Sequence, residues 1–485
     1  MTAGFEPLAR RAGVDTPERR ARIAEIAEEI TARGLTTVRL AFADVHGILR
    51  GKALRADLAL DAFADGAGIT SALLMKDTGQ LNVYPVWAEG GGLDRPWLTG
   101  AGDVLMLPDP STFRVLPWAD GTGWVLCDLF GPDGETIDLA TRSVCREAER
   151  RLAVEGYEMT AGLEVEFHLY RIDDVDTATT GPPPAASDGL RLAHTHPGRV
   201  YLGEQRFDLV EPFLELLRNN LTTLGLPPRS LEIELGPSQV EVTFSPGGAL
   251  QTADDAVLLR SAIKQIARRH GLHATFMSRP PFPASFTSGW HLHQSLVDSS
   301  SGANAFTTDE PGRLLSDVGR HHLAGLLANA APSCLLTTPT ITGYKRYQPA
   351  ALAPFRATWA RQNRGAMLRL VGGGADPATR IENRVGDSAA NPYLYVTAQL
   401  TAGLAGIADK ADPPAATDTP YEAEAGPALP TALGDAITAF SGSEVFREAL
   451  GDGFVDYLAG IKQAEWDRFL RTVTDWEHTE YLELF

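Results

Sequence analysis

A chain of 485 residues exceeds what one typical core supports and implies two domains, one large. Its 44% hydrophobic and 22% charged residues suit a soluble globular protein, and a net charge of -19 argues against general nucleic-acid or anionic-membrane binding. Three widely spaced cysteines, Cys127, Cys145 and Cys334, argue against a thiolate zinc site, and with no apolar leader or membrane-length apolar run they lead us to expect a cytoplasmic protein.

Thr16-Pro17-Glu18 opens a helix with a capping residue followed by Pro at the first position; Ile23, Ile26, Ala27 and Ile30 form its apolar stripe, and Gly34 stops it. Thr36 to Phe42 alternates like a strand, Asp44 to Gly47 is a turn, and Ile48 to Leu54 is the return strand of a hairpin. Further short strands follow at Asp103 to Leu107 and Trp124 to Leu129. Gly131 to Gly134 marks a boundary, giving a sheet-rich unit over 1–132 and a larger one over 133–485. Asp138 to Glu155 predicts a helix leading into a strand around Gly162. Asp173 to Val200, containing Gly181 to Pro184, reads as an irregular loop. Helices are expected at Phe207 to Leu224, Asp254 to Gly271, Asp317 to Ala331 and Asn391 to Ala408. Asp409 to Pro430 is a linker, and helices return from Thr431 to the end.

Four stretches carry chemistry. In Gly162-Leu163-Glu164-Val165-Glu166-Phe167 two carboxylates share one face of a strand, where they repel unless water or a cation faces them. Glu234 and Glu241 flank Gly236-Pro237; their odd spacing sets them on opposite faces of a straight strand, but a bend there unites them. His291 and His293 share a strand face, which suits either metal ligation or two hydrogen-bonded core histidines. From Lys345 to Arg384 eight cations meet two acids, a local charge of +6. Its arginines, among them Arg346, Arg364, Arg369, Arg380 and Arg384, present forks that match phosphate and carboxylate groups. Carboxylate-rich ligands suit Mg²⁺ or Mn²⁺, and divalent metal with arginine is what phosphoryl transfer from a nucleotide polyphosphate requires. No phosphate-binding Gly-rich loop ending in Lys-Ser/Thr is present.

These motifs, with Tyr344-Lys345-Arg346, Asn363 to Arg369, Arg380 to Arg384 and Ala390 to Leu394 in the same order, resemble the glutamine synthetase family over nearly the whole chain. The resemblance implies an α+β protein: an N-terminal β-grasp domain, then a catalytic domain with a curved antiparallel sheet and flanking helices. It implies rings, usually a dodecamer of two hexamers, with each site completed by a neighbour. By that resemblance Glu166, Glu234 and Glu241 hold one metal, and Glu164, His291 and Glu382 a second, with two or three Mg²⁺ or Mn²⁺ per site. His293, Ser295, Arg369 and Arg380 fall on the ATP side, Arg346 and Arg384 on the L-glutamate carboxylates with Gly289 and His291 beside them, and Arg364 on the transferring phosphoryl group.

Three departures cluster where that family binds ammonium. Gly68 to Asp77 lacks the Asp-Gly-Ser-Ser motif, Leu352 stands where a flap glutamate is expected, and Phe286-Thr287 replaces an Asn-Gly pair. The expectation is therefore an ATP-dependent ligase that joins the γ-carboxylate of L-glutamate to an organic primary amine. The alternatives are an ammonium-using glutamine synthetase with a diverged pocket, and a non-catalytic structural or regulatory relative. Neither nucleic acid nor membrane is expected as a partner.

Overall fold

The computed structural model describes residues 6–175, 190–282, 284–348 and 352–485. The first sheet lies within residues 37–130. It comprises β1 (Thr37–Ala43), β2 (Leu49–Arg55), β3 (Ala67–Thr70), β4 (Asp103–Pro108), β5 (Arg114–Val115) and β6 (Thr122–Phe130). Their order is β2-β1-β6-β4-β3, with β5 also on β6; β1 and β6 run parallel and the other pairs antiparallel. Helices α1 (Leu8–Arg11), α2 (Pro17–Ala32) and α3 (Ala56–Asp65) accompany it. As the sequence predicts, the Thr16 side chain caps α2 by accepting from the Arg19 amide, and Ile26 and Ile30 are buried. The β1–β2 hairpin pairs Thr37 with Arg55 through Ala43 with Leu49. Its turn is tied by Asp44 Oδ1, which accepts from the amides of His46 and Ile48.

The second sheet is built on one long strand, β7 (Tyr157–Val175). Around it lie β8 (Leu190–His194), β9 (Ser230–Ile233), β10 (Gln239–Thr243), β11 (Gly247–Gly248), β12 (Leu272–Thr275), β13 (Trp290–Asp298), β14 (Trp359–Arg361), β15 (Leu368–Val371) and β16 (Arg380–Asn383). The path is β14-β15-β16-β13-β7-β10-β9, with β8, β11 and β12 also paired to β7. The sheet is not wholly antiparallel as expected: β14 and β15 run parallel. On β7, Leu163, Val165, Phe167 and Leu169 alternate with the acids and are buried. Helices α4 (Thr141–Val154) and α6 (Ala249–Arg269) pack against β7, so burial of the apolar face leaves the Glu164 and Glu166 face free for a cleft.

The other helices are α5 (Glu204–Leu224), α7 (Asp317–Ala328), α8 (Ala330–Thr337), α9 (Ile341–Tyr344), α10 (Pro392–Ala408), α11 (Leu433–Ser441), α12 (Glu444–Leu450), α13 (Asp452–Leu470) and α14 (Asp475–Tyr481). Four expectations change. The helix expected from Asp138 starts at Thr141, because Ile137 to Ala140 closes a turn first. The helix expected over Asp317 to Ala331 divides at Asn329, since Pro332 has no amide to continue the ladder. The stretch expected as one loop contains β8, and Gly181 to Pro184 lie outside the described residues. Helix α6 begins at Ala249, so Asp254 sits inside it, where Arg142 holds its carboxylate. Among the described residues no helix is long and apolar enough to cross a membrane. All three cysteines are buried and unpaired.

Candidate active site

Strand register carries the acids across the second sheet. Glu166 on β7 lies opposite Glu241 on β10, which lies opposite Glu232 on β9. Glu164 lies opposite His291 on β13; His293 lies opposite Glu382 on β16, and Glu382 opposite Arg369 on β15. Residues paired in register project to one face, so a row of acids, histidines and an arginine crosses the sheet. Glu164, Glu166, Glu232, Glu241, His291 and Arg369 of this row border a cavity of about 600 Å³, lined also by Glu234, Gly289, Arg346, Arg364 and Arg384, whereas His293 and Glu382 stand outside its lining.

The bend at Gly236-Pro237 is a tight connection between β9 and β10. The Glu234 amide donates to the Gln239 carbonyl, and Ser238 takes a positive φ of 63°. A side chain on Gly236 would meet the Phe286 backbone at 3.0 Å and Gln239 Oε1 at 2.6 Å. Gln239 in turn donates from Nε2 to Glu166 Oε2 (2.8 Å) and to the Thr287 carbonyl (3.0 Å). The Gly289 amide also donates to Glu166 Oε2 (3.0 Å), and a side chain on Gly289 would lie 2.6 Å from the Arg346 guanidinium. Arg346 is fixed by donating to the carbonyls of Val385 (3.1 Å) and Gly386 (2.6 Å).

Two groups bring carboxylate and imidazole donors close enough to share an ion. One is Glu164, His291 and Glu382; the other is Glu166, Glu241 and His291. Glu234 lines the cavity but stands outside both groups. The two groups differ in charge. Burial works against ionised Glu164, but hydrogen bonds to His291 (2.7 Å) and His293 (3.2 Å) outweigh it and hold its carboxyl well below the usual range. Glu382 is likewise held low despite burial, with Arg384 and Arg369 (3.0 Å) on its two oxygens. Glu166 is pushed up to about 8 by burial and by Glu234. Burial pushes Glu234 up to about 7, and burial with the charges of Glu164, Glu166 and Glu234 pushes Glu241 up to about 11. Buried carboxylates that resist ionisation, beside donors within ligand reach, are the arrangement a divalent cation relieves. The residues present therefore fit a hard metal ion.

On the far side, Arg380 Nε donates to His293 Nδ1 (3.2 Å), so His293 Nε2 carries the proton given to Glu164. Arg364 is exposed at the cavity rim, and its carbonyl accepts from Arg384 Nε (2.9 Å). Ser295 lies two residues further along β13, opposite Thr160, away from the cavity lining.

The family model for the glutamine synthetase catalytic domain matches residues 138–481. The chain belongs to the glutamine synthetase family. It is 42% identical over 478 residues to the gamma-glutamylanilide synthase of Acinetobacter sp, covering 95% of each chain. It is 33% identical over 460 residues to the gamma-glutamylethanolamide synthetase of Streptomyces coelicolor, covering 94% of each. Among solved structures, GmaS in complex with ADP superimposes with a TM-score of 0.79 at 28% identity, covering 95% of this chain and 99% of that one. The chain falls in the γ-glutamylamine ligase branch of the glutamine synthetases and is an ATP-dependent carbon–nitrogen ligase.

Sequence reading missed several residues of this glutamine synthetase cleft. Glu232 forms a second Glu-x-Glu with Glu234, a repeat of the motif on β7 that the Gly-Pro bend overshadowed. Gln239 was legible only as a neighbour of Glu241, although it clamps Glu166. Tyr201 and Leu202 line the cavity from just beyond the long insert, where no periodicity announces them. Burial and the nearby acids push the Tyr201 phenol up to about 12.

Proposed function

We propose that this ligase joins the γ-carboxylate of L-glutamate to a weakly polar primary amine through γ-glutamyl phosphate. The observation that carries this reading is the apolar part of the cavity lining, Phe286, Leu202, Leu235 and Leu352, where Leu352 brings an exposed apolar side chain (45%) at the position expected for a flap acid that would attract ammonium. Gamma-glutamylanilide and gamma-glutamylethanolamide synthases among the relatives agree with an organic amine.

In this reading Arg346 and Arg384 hold the glutamate carboxylates. Gly289, having no side chain, lets the Arg346 guanidinium come close beside it. Arg364 spreads charge on the phosphoryl group in flight, and His293, Ser295, Arg369 and Arg380 face ATP. Glu166, Glu234 and Glu241 would hold one divalent ion, and Glu164, His291 and Glu382 another. Two or three Mg²⁺ or Mn²⁺ per site, when bound, supply neutralising charge for the phosphates. The γ-carboxylate oxygen takes the γ-phosphoryl group with loss of ADP; the amine nitrogen then forms the amide bond as phosphate leaves, and the amine gives up one proton.

We read residues 1–132 as a β-grasp-like domain, residues 133–485 as the catalytic domain, and the assembly as rings, a dodecamer, working in the cytoplasm. Exposed Leu470, Val473, Trp476, Leu482, Leu484 and Phe485 at the C-terminal end support self-association, since so much apolar surface in one segment favours a protein contact.

The test is ADP release with ATP, L-glutamate and Mg²⁺ or Mn²⁺ over a panel of aniline, ethanolamine, isopropylamine and ammonium. We expect at least one organic amine to exceed ammonium in kcat/KM by about 10-fold or more. Ammonium used as well as the best organic amine would overturn the reading.

A further inference from the structure

A second cavity, of about 360 Å³, lies away from the acidic cleft. The β1–β2 turn forms one wall and α6 another, with α8 and α13 contributing side chains. Three cations line it, Arg260, Lys264 and Lys462, and no Asp or Glu does. Most of the remaining wall is aliphatic or aromatic, including Val257, Leu335 and Leu458.

Lys462 is buried and already paired with Glu465 at 3.0 Å. The other two form no ion pair among the described residues. Arg260 donates from Nη1 to the carbonyls of Ser388 (3.3 Å) and Ala390 (2.7 Å), and from Nη2 to that of Gly47 (3.2 Å). Its Nε–H and a second Nη2–H stay uncommitted. Lys264 presents its side chain to the cavity mouth, with its ammonium 5.9 Å from the centre of the Phe276 ring. The turn must come this close: a side chain on Gly47 would lie 2.6 Å from Arg260 Nη2. Burial lowers the pKa of Arg260 to about 10, against the opposing pull of the nearby carboxylates of Asp387 and Asp44, and lowers that of Lys264 also. His46 adds a buried ring nitrogen, Nδ1, that has no hydrogen-bond partner among the described residues.

We propose that this cavity binds a small organic acid, its carboxylate between Arg260 and Lys264 and its apolar body against Val257, Leu335 and Leu458. The volume suits a molecule of about ten heavy atoms rather than a nucleotide, which needs a larger cleft. An anion would supply the negative charge that the wall lacks. Occupancy would also reach the active site through one segment. Arg260 grips the carbonyls of Ser388 and Ala390 from behind, while Arg346 grips those of Val385 and Gly386 from the front.

The experiment is calorimetric titration of the full-length chain with benzoate, benzyl alcohol and inorganic phosphate as probes. Benzoate is expected to bind one-to-one, benzyl alcohol not at all, and phosphate more weakly than benzoate. Lys264→Met keeps the stem and removes the charge, and should weaken benzoate at least 10-fold with turnover at saturating substrates unchanged. Val257→Trp fills the cavity and should abolish binding. If Val257→Trp does not fold, Lys264→Met decides alone, because its position at the cavity mouth makes it tolerant. No binding of benzoate at millimolar concentration, equal binding by Lys264→Met, or phosphate binding more tightly than benzoate would each overturn the proposal.

Discussion

Glu164 and Glu166 are two residues apart on one strand face, yet their surroundings drive them to opposite charge states. Histidines hold Glu164 ionised, whereas burial and Glu234 favour the neutral form of Glu166. The pH consequence has a definite sign. Groups with raised folded pKa values keep their protons after the unfolded chain has lost them, so metal-free stability falls as pH rises from about 4.5 through about 8. A divalent ion removes that penalty. The gain in Tm on adding Mg²⁺ or Mn²⁺ should therefore grow with pH across this window, as thermal melts with and without chelator would measure; a gain independent of pH would refute it. Glu241→Gln removes the most strongly opposed charge while keeping the shape. If Glu241 is the metal ligand we propose, it should lower turnover by more than about 100-fold, while metal-free protein at pH 8 melts no lower than the parent. Individual ligand types were legible because acids and histidines recur at i, i+2. Glu232 and Gln239 were not, because a carboxylate near a turn and an amide beside a strand look like ordinary surface until register places Glu232 opposite Glu241 and a hydrogen bond ties Gln239 to Glu166.

At the scale of elements, β7 is the organising feature and was legible at its centre. Its apolar alternation survives from Leu163 to Leu169 because one face packs on α4 and α6. Its length was not legible, since the pairing with β8 beyond Tyr170 is set by tertiary contact and not by local pattern. The β9–β10 hairpin shows how a bend replaces periodicity. Glu234 and Glu241 are seven positions apart, and the turn at Gly236-Pro237 brings both to one cavity. Gly236→Ala should disturb this, because the added methyl meets the Phe286 backbone, which yields little. We expect about 1–3 kcal/mol of destabilisation and a raised metal requirement with the nucleotide KM less affected. Chemical denaturation together with metal-dependence kinetics would check it, and unchanged metal dependence would count against the assigned role of the hairpin. Leu352, at the rim and with a φ of 57°, tests the amine wall: Leu352→Glu should raise ammonium use relative to organic amines.

Across the whole molecule, Arg142 joins what the sequence divides. It donates to Asp254 on α6, to Asp128 on β6 and to Asp109 just after β4, at 2.8–2.9 Å, and is itself 5% exposed. No pattern in the chain announces this, because the three acids are 145, 126 and 19 residues apart in pairs and meet only in the fold. Burial opposes the ionised forms of Asp109 and Asp128, but Arg142 holds both below their usual range. The stability they add is present above the unfolded pKa and lost as pH falls through the lower folded value. Arg142→Met removes the one cation that all three acids share, leaving only the more exposed Arg146 beside Asp128 and Asp109, and should cost about 3–5 kcal/mol, measured by urea denaturation near neutral pH. A loss under about 1 kcal/mol would mean that water replaces the guanidinium.

The division between a charged and a neutral half of the acidic row also sets a sequence in time. In the half around Glu164 and Glu382 the carboxyls are held below their usual range by histidine and arginine partners, so an ion there would displace few protons from the acids. In the half around Glu166 and Glu241 burial favours the protonated carboxyls, so an ion there would have to displace protons. On the proposed two-ion reading, loading is expected to be ordered: the first equivalent of ion would enter with little dependence on buffer, and the next would release protons that a buffer of different ionisation enthalpy would register as different heat.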